Sequence, residues 1–208
     1  MTVDNGNVKL FTEKAGIASA VVSEVSSLEE AFQYTIDLCG KKEACKLLVS
    51  GCEEGLSSKA GELCEAKIGK TIAAPALSKK QFSSLEKLCS ENGFVLLKDG
   101  MRKHLGGIDI GFSFVDHGIA ETGTLVLNCR SEELRIATMV SEIHVVVLPK
   151  SKIVADSYDL ESFMEECMKK ADYTSFITGP SRTADIERVL AIGVHGPLEL
   201  HILLLEGV

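Results

Sequence analysis

Tryptophan is absent from this chain of 208 residues, and aromatic residues make up only 5% of it. Base-stacking platforms for nucleic acids are built from aromatic faces, so they have little to draw on here. Lys and Arg total 22 against 30 Asp and Glu, a formal net charge of −8, and no basic cluster stands out. Phosphate backbones are held by concentrated positive charge, which argues against a nucleic-acid binder. Membrane-length apolar runs are missing too. The longest, His144 to Leu148 and His201 to Leu205, have the length of a strand. Met1 to Phe11 is polar and lacks the apolar centre of a signal peptide. The expectation is a cytoplasmic protein.

Several cofactor signatures are also missing. The seven cysteines, Cys39, Cys45, Cys52, Cys64, Cys89, Cys129 and Cys167, are scattered and include no C-x-x-C. Iron–sulfur clusters and zinc ribbons need closely spaced thiolates, so none is evident in this chain. Reduced thiols filling helices and strand ends are the plain reading, with a redox role for Cys129 as the alternative. No G-x-x-x-x-G-K-[ST] loop occurs, no G-x-G-x-x-G follows a strand, and no G-x-S-x-G elbow is present. His117, His144 and His195 have no local ligand spacing such as H-x-x-x-H, so no metal is assigned.

What is present is ordinary globular composition, 45% hydrophobic and 25% charged, in a chain long enough for one full core. Residues 1–26 have no strong periodicity. They read as a loosely packed amino-terminal segment, with Ala15 to Val25 as a short helix. Ser26 with Glu29 and Ser27 with Glu30 are overlapping capping boxes, opening a helix through Cys39 that stops at Gly40. Lys46 to Gly51 reads as a buried strand, Ser57 to Ala66 as a helix, and Thr71 to Ala74 as a strand. Ser78 with Gln81 caps a helix that ends at Asn92-Gly93, before a strand at Phe94 to Leu97. Strands follow at Thr124 to Asn128, Glu142 to Leu148 and Glu199 to Leu205. Helices are expected after Ser131 and from Asp159 to Lys170. Strand–helix alternation at this spacing predicts one α/β domain, 1–208, with a largely parallel sheet.

Two polar stretches carry the chemistry. The first is Ile119-Ala120-Glu121-Thr122-Gly123-Thr124, directly before a strand. Nothing in such a turn requires a carboxylate, so Glu121 is a candidate acid, base or nucleophile. The second runs from Ile177-Thr178-Gly179-Pro180-Ser181-Arg182-Thr183-Ala184-Asp185 to Gly193-Val194-His195-Gly196-Pro197. Gly179 allows close approach, Pro180 stiffens the turn, and Ser181, Arg182 and Thr183 are donors suited to an anion. The plain alternative is a tight turn with a helix cap. His195, between Val194 and Gly196-Pro197, lies in a turn from which a side chain projects. Arg135 binds an anion or pairs with Glu132 or Glu133. His144, in an apolar strand, reads as a hydrogen-bonded core histidine. In an open α/β sheet the two turns can converge at one edge, where ligands usually bind. Ser181, Arg182 and Thr183 would then hold the anion while Glu121 and His195 face its reactive part.

I-A-E-T-G-T, Arg135-Ile136-Ala137-Thr138, Ile143 to Val147 and G-P-S-R-T-A-D-I-E…G-V-H-G-P together resemble the LutC/YkgG family, the LUD domain of lactate utilisation proteins. The resemblance runs from about Gly106 to the carboxyl terminus, with weaker agreement before it. One departure is Ser141-Glu142, where the family usually has proline. The resemblance implies a three-layer α/β/α fold similar to NagB/RpiA/CoA-transferase proteins. It also implies support of L-lactate oxidation to pyruvate beside an iron–sulfur subunit and a cysteine-rich subunit, which would carry the clusters. By motif, the pocket candidates it implies are Glu121, Thr122, Gly123, Thr124, Arg135, Gly179, Ser181, Arg182, Thr183, Asp185, His195 and Gly196. The alternatives are a stand-alone isomerase, CoA-transferase or cyclo-ligase using Glu121, and a regulatory module sensing a carboxylate or nucleotide. A homodimer is a further expectation.

Overall fold

A computed structural model describes residues 3–42, 69–104, 107–183, 191–192 and 196–206. The strand expected at Lys46 to Gly51 and the helix at Ser57 to Ala66 lie outside these described residues, as do Asp185 and His195.

The amino-terminal segment differs from expectation. Asn5–Ile17 is a helix, α1, whose Asp4 cap accepts from the amides of Gly6 and Asn7. Val21–Val25 is a strand, β1, not the tail of a helix. The chain turns between them at Ser19, which adopts φ +68°. Two observations account for the difference. Val21, Val22 and Val25 are β-branched and suit a pleated surface, and β1 pairs in parallel with the last strand, Val21 opposite His201 and Val25 opposite Leu205. Nor is the segment loosely packed, since Val8, Phe11 and Ala15 are buried.

The expected capping chemistry is present with small changes. Helix α2, Leu28–Lys41, starts at Ser27, whose side chain accepts from the Glu30 amide. The Glu30 carboxylate returns to the amide and hydroxyl of Ser26, so the two boxes share their parts. Helix α3, Lys79–Glu91, has the complete Ser78–Gln81 box. The remaining strands are β2 Thr71–Ala73, β3 Val95–Leu97, β4 Ile108–Phe114, β5 His117–Ile119, β6 Thr124–Cys129, β7 Ser141–Pro149, β8 Ile153–Val154, β9 Tyr173–Ile177, β10 Arg182–Thr183, β11 Ala191–Ile192 and β12 Glu199–Leu205. Helices α4, Glu132–Val140, and α5, Glu161–Met168, complete the described elements.

Six strands form a parallel sheet in the order β1-β12-β7-β4-β2-β3. Because side chains alternate across a strand, β7 feeds two cores. Ile143, Val145 and Val147 pack with Phe32 and Ile36 of α2 and Leu85 of α3. Val146 and Leu148 pack on the other face with Phe11 and Ala15 of α1 and Leu125 and Leu127 of β6. The α/β class with a largely parallel sheet therefore holds.

The second face is covered in a way the sequence did not suggest. Beside α1 lies a four-stranded mixed sheet, β8-β5-β6-β9. The Thr124 strand belongs to it, antiparallel to both β5 and β9. Only a four-residue turn separates β5 from β6, too short for the crossover a parallel pair needs. The outer face of this sheet is closed by Leu160, Phe163 and Met164 over Ile119 and Val126.

At the amino ends of the parallel strands, Lys42 Nζ lies 2.9 Å from Asp109 and 2.6 Å from Glu142. Asp109 also accepts from the Thr71 amide at 2.7 Å. This buried group ties α2, β2, β4 and β7 together, and it gives Glu142, where proline is usual, a partner.

Candidate functional site

Both polar turns rest on the carboxyl end of α1. Gly123 has φ +65° and Gly179 φ +73°, a region that favours glycine. A β-carbon at Gly123 would run into the backbone of Lys14 and Ala15, and one at Gly179 into the Ala18 carbonyl. Arg182 donates from Nη2 to that same carbonyl at 2.7 Å. Part of the guanidinium proposed as an anion donor is thus engaged at a helix end.

The turns meet through hydroxyls. Thr122 Oγ1 lies 2.7 Å from Thr124 Oγ1, which lies 2.8 Å from Thr178 Oγ1. Antiparallel pairing of β6 with β9, Leu125 opposite Ile177, sets this contact. Ser181 joins from the other side: its amide donates to the Pro197 carbonyl at 2.9 Å, and its β-carbon faces Gly196.

Along the inner side of β9 these elements border a cleft of about 360 Å³. Thr138 and Met139 at the end of α4 form one wall. Residues 173–181 form another, and Gly196, Pro197, Leu200 and His144 complete it. His144 is 1% exposed, and its Nε2 lies 2.9 Å from Ser113 Oγ. Burial lowers its pKa to about 4, so the imidazole is neutral at pH 7. It is the hydrogen-bonded core histidine expected, and it also lies at the cleft. Lys, Arg, Asp and Glu do not occur among the described residues of the lining. Thr138, Thr174, Ser175, Thr178 and Ser181 line the cleft together with Met139, Phe176, Ile177 and Leu200.

The expected site residues divide accordingly. Gly179, Ser181 and Gly196 line the cleft, and Thr124 and Thr122 connect to it through Thr178. Gly123 is buried under α1. Glu121 is exposed, its amide donates to the Ala155 carbonyl, and it does not line the cleft. Thr183 pairs with Ala191 in the β10–β11 ladder. Arg135 stands 5.5 Å over the Tyr173 ring and 3.5 Å from Glu132. Its ion-pair reading is therefore realised, weakly, since Glu132 is held mainly by Arg102 through two nitrogens. That Arg102 hydrogen bond lowers the pKa of Glu132.

His144 and Leu200 lie near the starts of β7 and β12, so the cleft opens at the amino ends of the parallel strands. Ligands of open α/β sheets usually bind at the carboxyl ends. The second sheet accounts for this, because its β9 strand forms the wall. No motif marks Tyr173, Phe176 or Met139 as lining residues, and Thr138 is marked only within the Arg135-Ile136-Ala137-Thr138 motif. A signal existed in the two aromatics of a short strand in a chain with few, but which edge they face is set by pairing.

The molecule is thus a layered α/β protein whose parallel sheet carries a mixed sheet and a hydroxyl-lined cleft on one face. The LUD domain family model matches residues 8–205, and the chain belongs to that family. It is 35% identical over 95 residues to lactate utilization protein C of Geobacillus thermodenitrificans. It is 36% identical over 95 residues to the protein of the same name from Geobacillus kaustophilus. Each alignment covers 44% of this chain and 40% of the relative, so the chain spans about two fifths of the length of these curated relatives. The crystal structure of a DUF162 family protein from Deinococcus radiodurans superposes with a TM-score of 0.60 over 97% of both chains. At 14% identity that likeness concerns the fold.

Proposed function

We propose that this LUD-domain protein acts in lactate utilisation as a component supporting oxidation of L-lactate to pyruvate. The observation carrying the proposal is the family match across 8–205 together with relatives named for lactate utilisation. In this reading the cleft binds a small anionic or phosphorylated ligand, while iron–sulfur and cysteine-rich partner subunits carry the electrons. Among the described residues Cys39, Cys89, Cys129 and Cys167 are all buried, which supports a non-redox role for this chain. Burial raises the thiol pKa of Cys89 to about 12 and raises that of Cys129 as well, which disfavours the nucleophilic thiolate at both. The stand-alone enzyme reading, built on Glu121, has less support, because that carboxylate does not line the cleft.

Affinity purification of tagged full-length protein, combined with deletion of its gene, tests the proposal. Recovery of iron–sulfur protein and loss of growth on L-lactate are expected. Purification without an iron–sulfur partner, together with unchanged growth on lactate, would overturn it.

A further inference from the structure

Tyr173 belongs to two linings. One is the 360 Å³ cleft; the other is a recess of about 230 Å³ whose charged lining is Arg130, Glu132 and Arg135. The two spaces therefore adjoin across one aromatic ring and differ in chemistry. The cleft carries hydroxyls and apolar surface, with a neutral His144 and no charged side chain among its described lining. Among the described lining residues no cation offsets the desolvation of an anion placed there. The recess holds the guanidinium. Arg135 is 39% exposed, and its partner Glu132 is engaged mainly by Arg102, so Arg135 has donors left for an incoming oxyanion. Its Cζ lies 5.5 Å from the centre of the Tyr173 ring, which keeps the cation beside a residue of the cleft.

Size adds an independent constraint. A cavity of about 360 Å³ falls in the ~300–1,000 Å³ range of sites for drug-sized ligands. The three-carbon acid lactate fills only a fraction of that. Met139, Tyr173 and Phe176 at its border are each about half exposed, with relative accessibilities of 52%, 53% and 52%. Tyr173, on the same face of β9 as Ile177, and Met139 offer apolar surface to a larger body.

Resting on the reading that the cleft is the ligand site, we propose that its ligand is a bipartite anion larger than lactate. The uncharged body, partly apolar and able to accept or donate hydrogen bonds, fills the cleft. Its carboxylate or phosphate passes Tyr173 to reach Arg135. Arg135 is then the anion anchor, and Thr178 and Ser181 orient the body.

Titration calorimetry on the full-length protein tests this with L-lactate, L-3-phenyllactate and phenyl phosphate as probes, on wild type, Arg135→Ala, Arg135→Lys and Thr178→Val. Arg135 is half exposed on a helix surface, so its variants should keep the wild-type circular dichroism. At least one phenyl probe should bind about tenfold or more tighter than L-lactate. Arg135→Ala should weaken it about ten- to hundredfold, as loss of a charged hydrogen bond does. Arg135→Lys should recover part of that affinity, and Thr178→Val should lower it by a smaller factor. The phenyl probe showing the Arg135 dependence identifies the anion as carboxylate or phosphate. Equal binding of lactate and both phenyl probes, no binding of either phenyl probe at millimolar concentration, or indifference to Arg135→Ala would overturn the proposal. Failure of the lactate-utilisation reading would be seen separately, as unchanged growth and absent partners with the Arg135-dependent binding intact.

Discussion

Between about pH 6.5 and 4, an unfolded histidine takes up a proton that the folded chain refuses at His144. Its pKa is lowered to about 4 by burial, so in this window the unfolded state binds more protons. Stability therefore holds above pH 6.5 and falls as pH drops, by on the order of 3 kcal/mol at pH 4. His144→Gln removes that titration while keeping a polar group near Ser113. Urea denaturation at about pH 7.5 and 4.5 should show a smaller acid loss in the variant; an equal loss would refute the assignment. Gly123 and Gly179 are the second residue-scale case. Alanine at either meets both a positive φ and the backbone of α1. Each substitution should cost at least about 1–3 kcal/mol, read as a lower urea midpoint. A midpoint within error of wild type would show that α1 yields easily. The motif pointed to these glycines as pocket residues, but their demand for glycine comes from helix packing, and no residue in their neighbourhood reveals that.

Helix α1 is the element on which the two turns depend. Phe11 is fully buried, against Leu125, Leu127 and Leu148 in one cluster, and it lies close to Gly118. Phe11→Ala should cost about 3–5 kcal/mol. It should also weaken ligand binding at the cleft, since the Ala18 carbonyl that positions Gly179 and Arg182 hangs from this helix. Thermal melts and phenyl-probe calorimetry on the same variant check both parts. Loss of stability with unchanged affinity would separate the helix from the site. The sequence showed α2, α3 and β12 because their signals are local: Ser27 and Ser78 as caps, an apolar face at helical spacing, and a strand-length run from His201 to Leu205. Helix α1 lacked such a signal. Its buried Val8, Phe11 and Ala15 are interspersed with polar residues over only a few turns.

At the scale of the whole molecule, the parallel sheet is covered on both faces, and among its described strands β1 and β3 are the more exposed. Hydrogen exchange should be slowest in β4, β7 and β12 and faster in β1 and β3, which end the sheet among the described residues. β9, at the end of the second sheet with Tyr173 and Phe176 exposed, should also exchange faster than β6. Mass-spectrometric exchange that found β9 as protected as β7 would contradict this ordering. Among the described residues no helix is long and apolar enough to cross a membrane.

The sequence by itself determined the α/β class, most element positions and the family, because each depends on periodicity, caps or contiguous motifs along the chain. It also contained both polar turns, and Thr124 with Thr178 shows them in contact. Only the tertiary structure decided what the turns border. Strand pairing across 54 positions brought Thr124 to Thr178, and the second sheet placed the cleft at the amino ends of β7 and β12. Tyr173 gained its place between cleft and recess in the same way. Such partners are chosen by long-range pairing and by burial against α1, and neither leaves a mark on neighbouring residues.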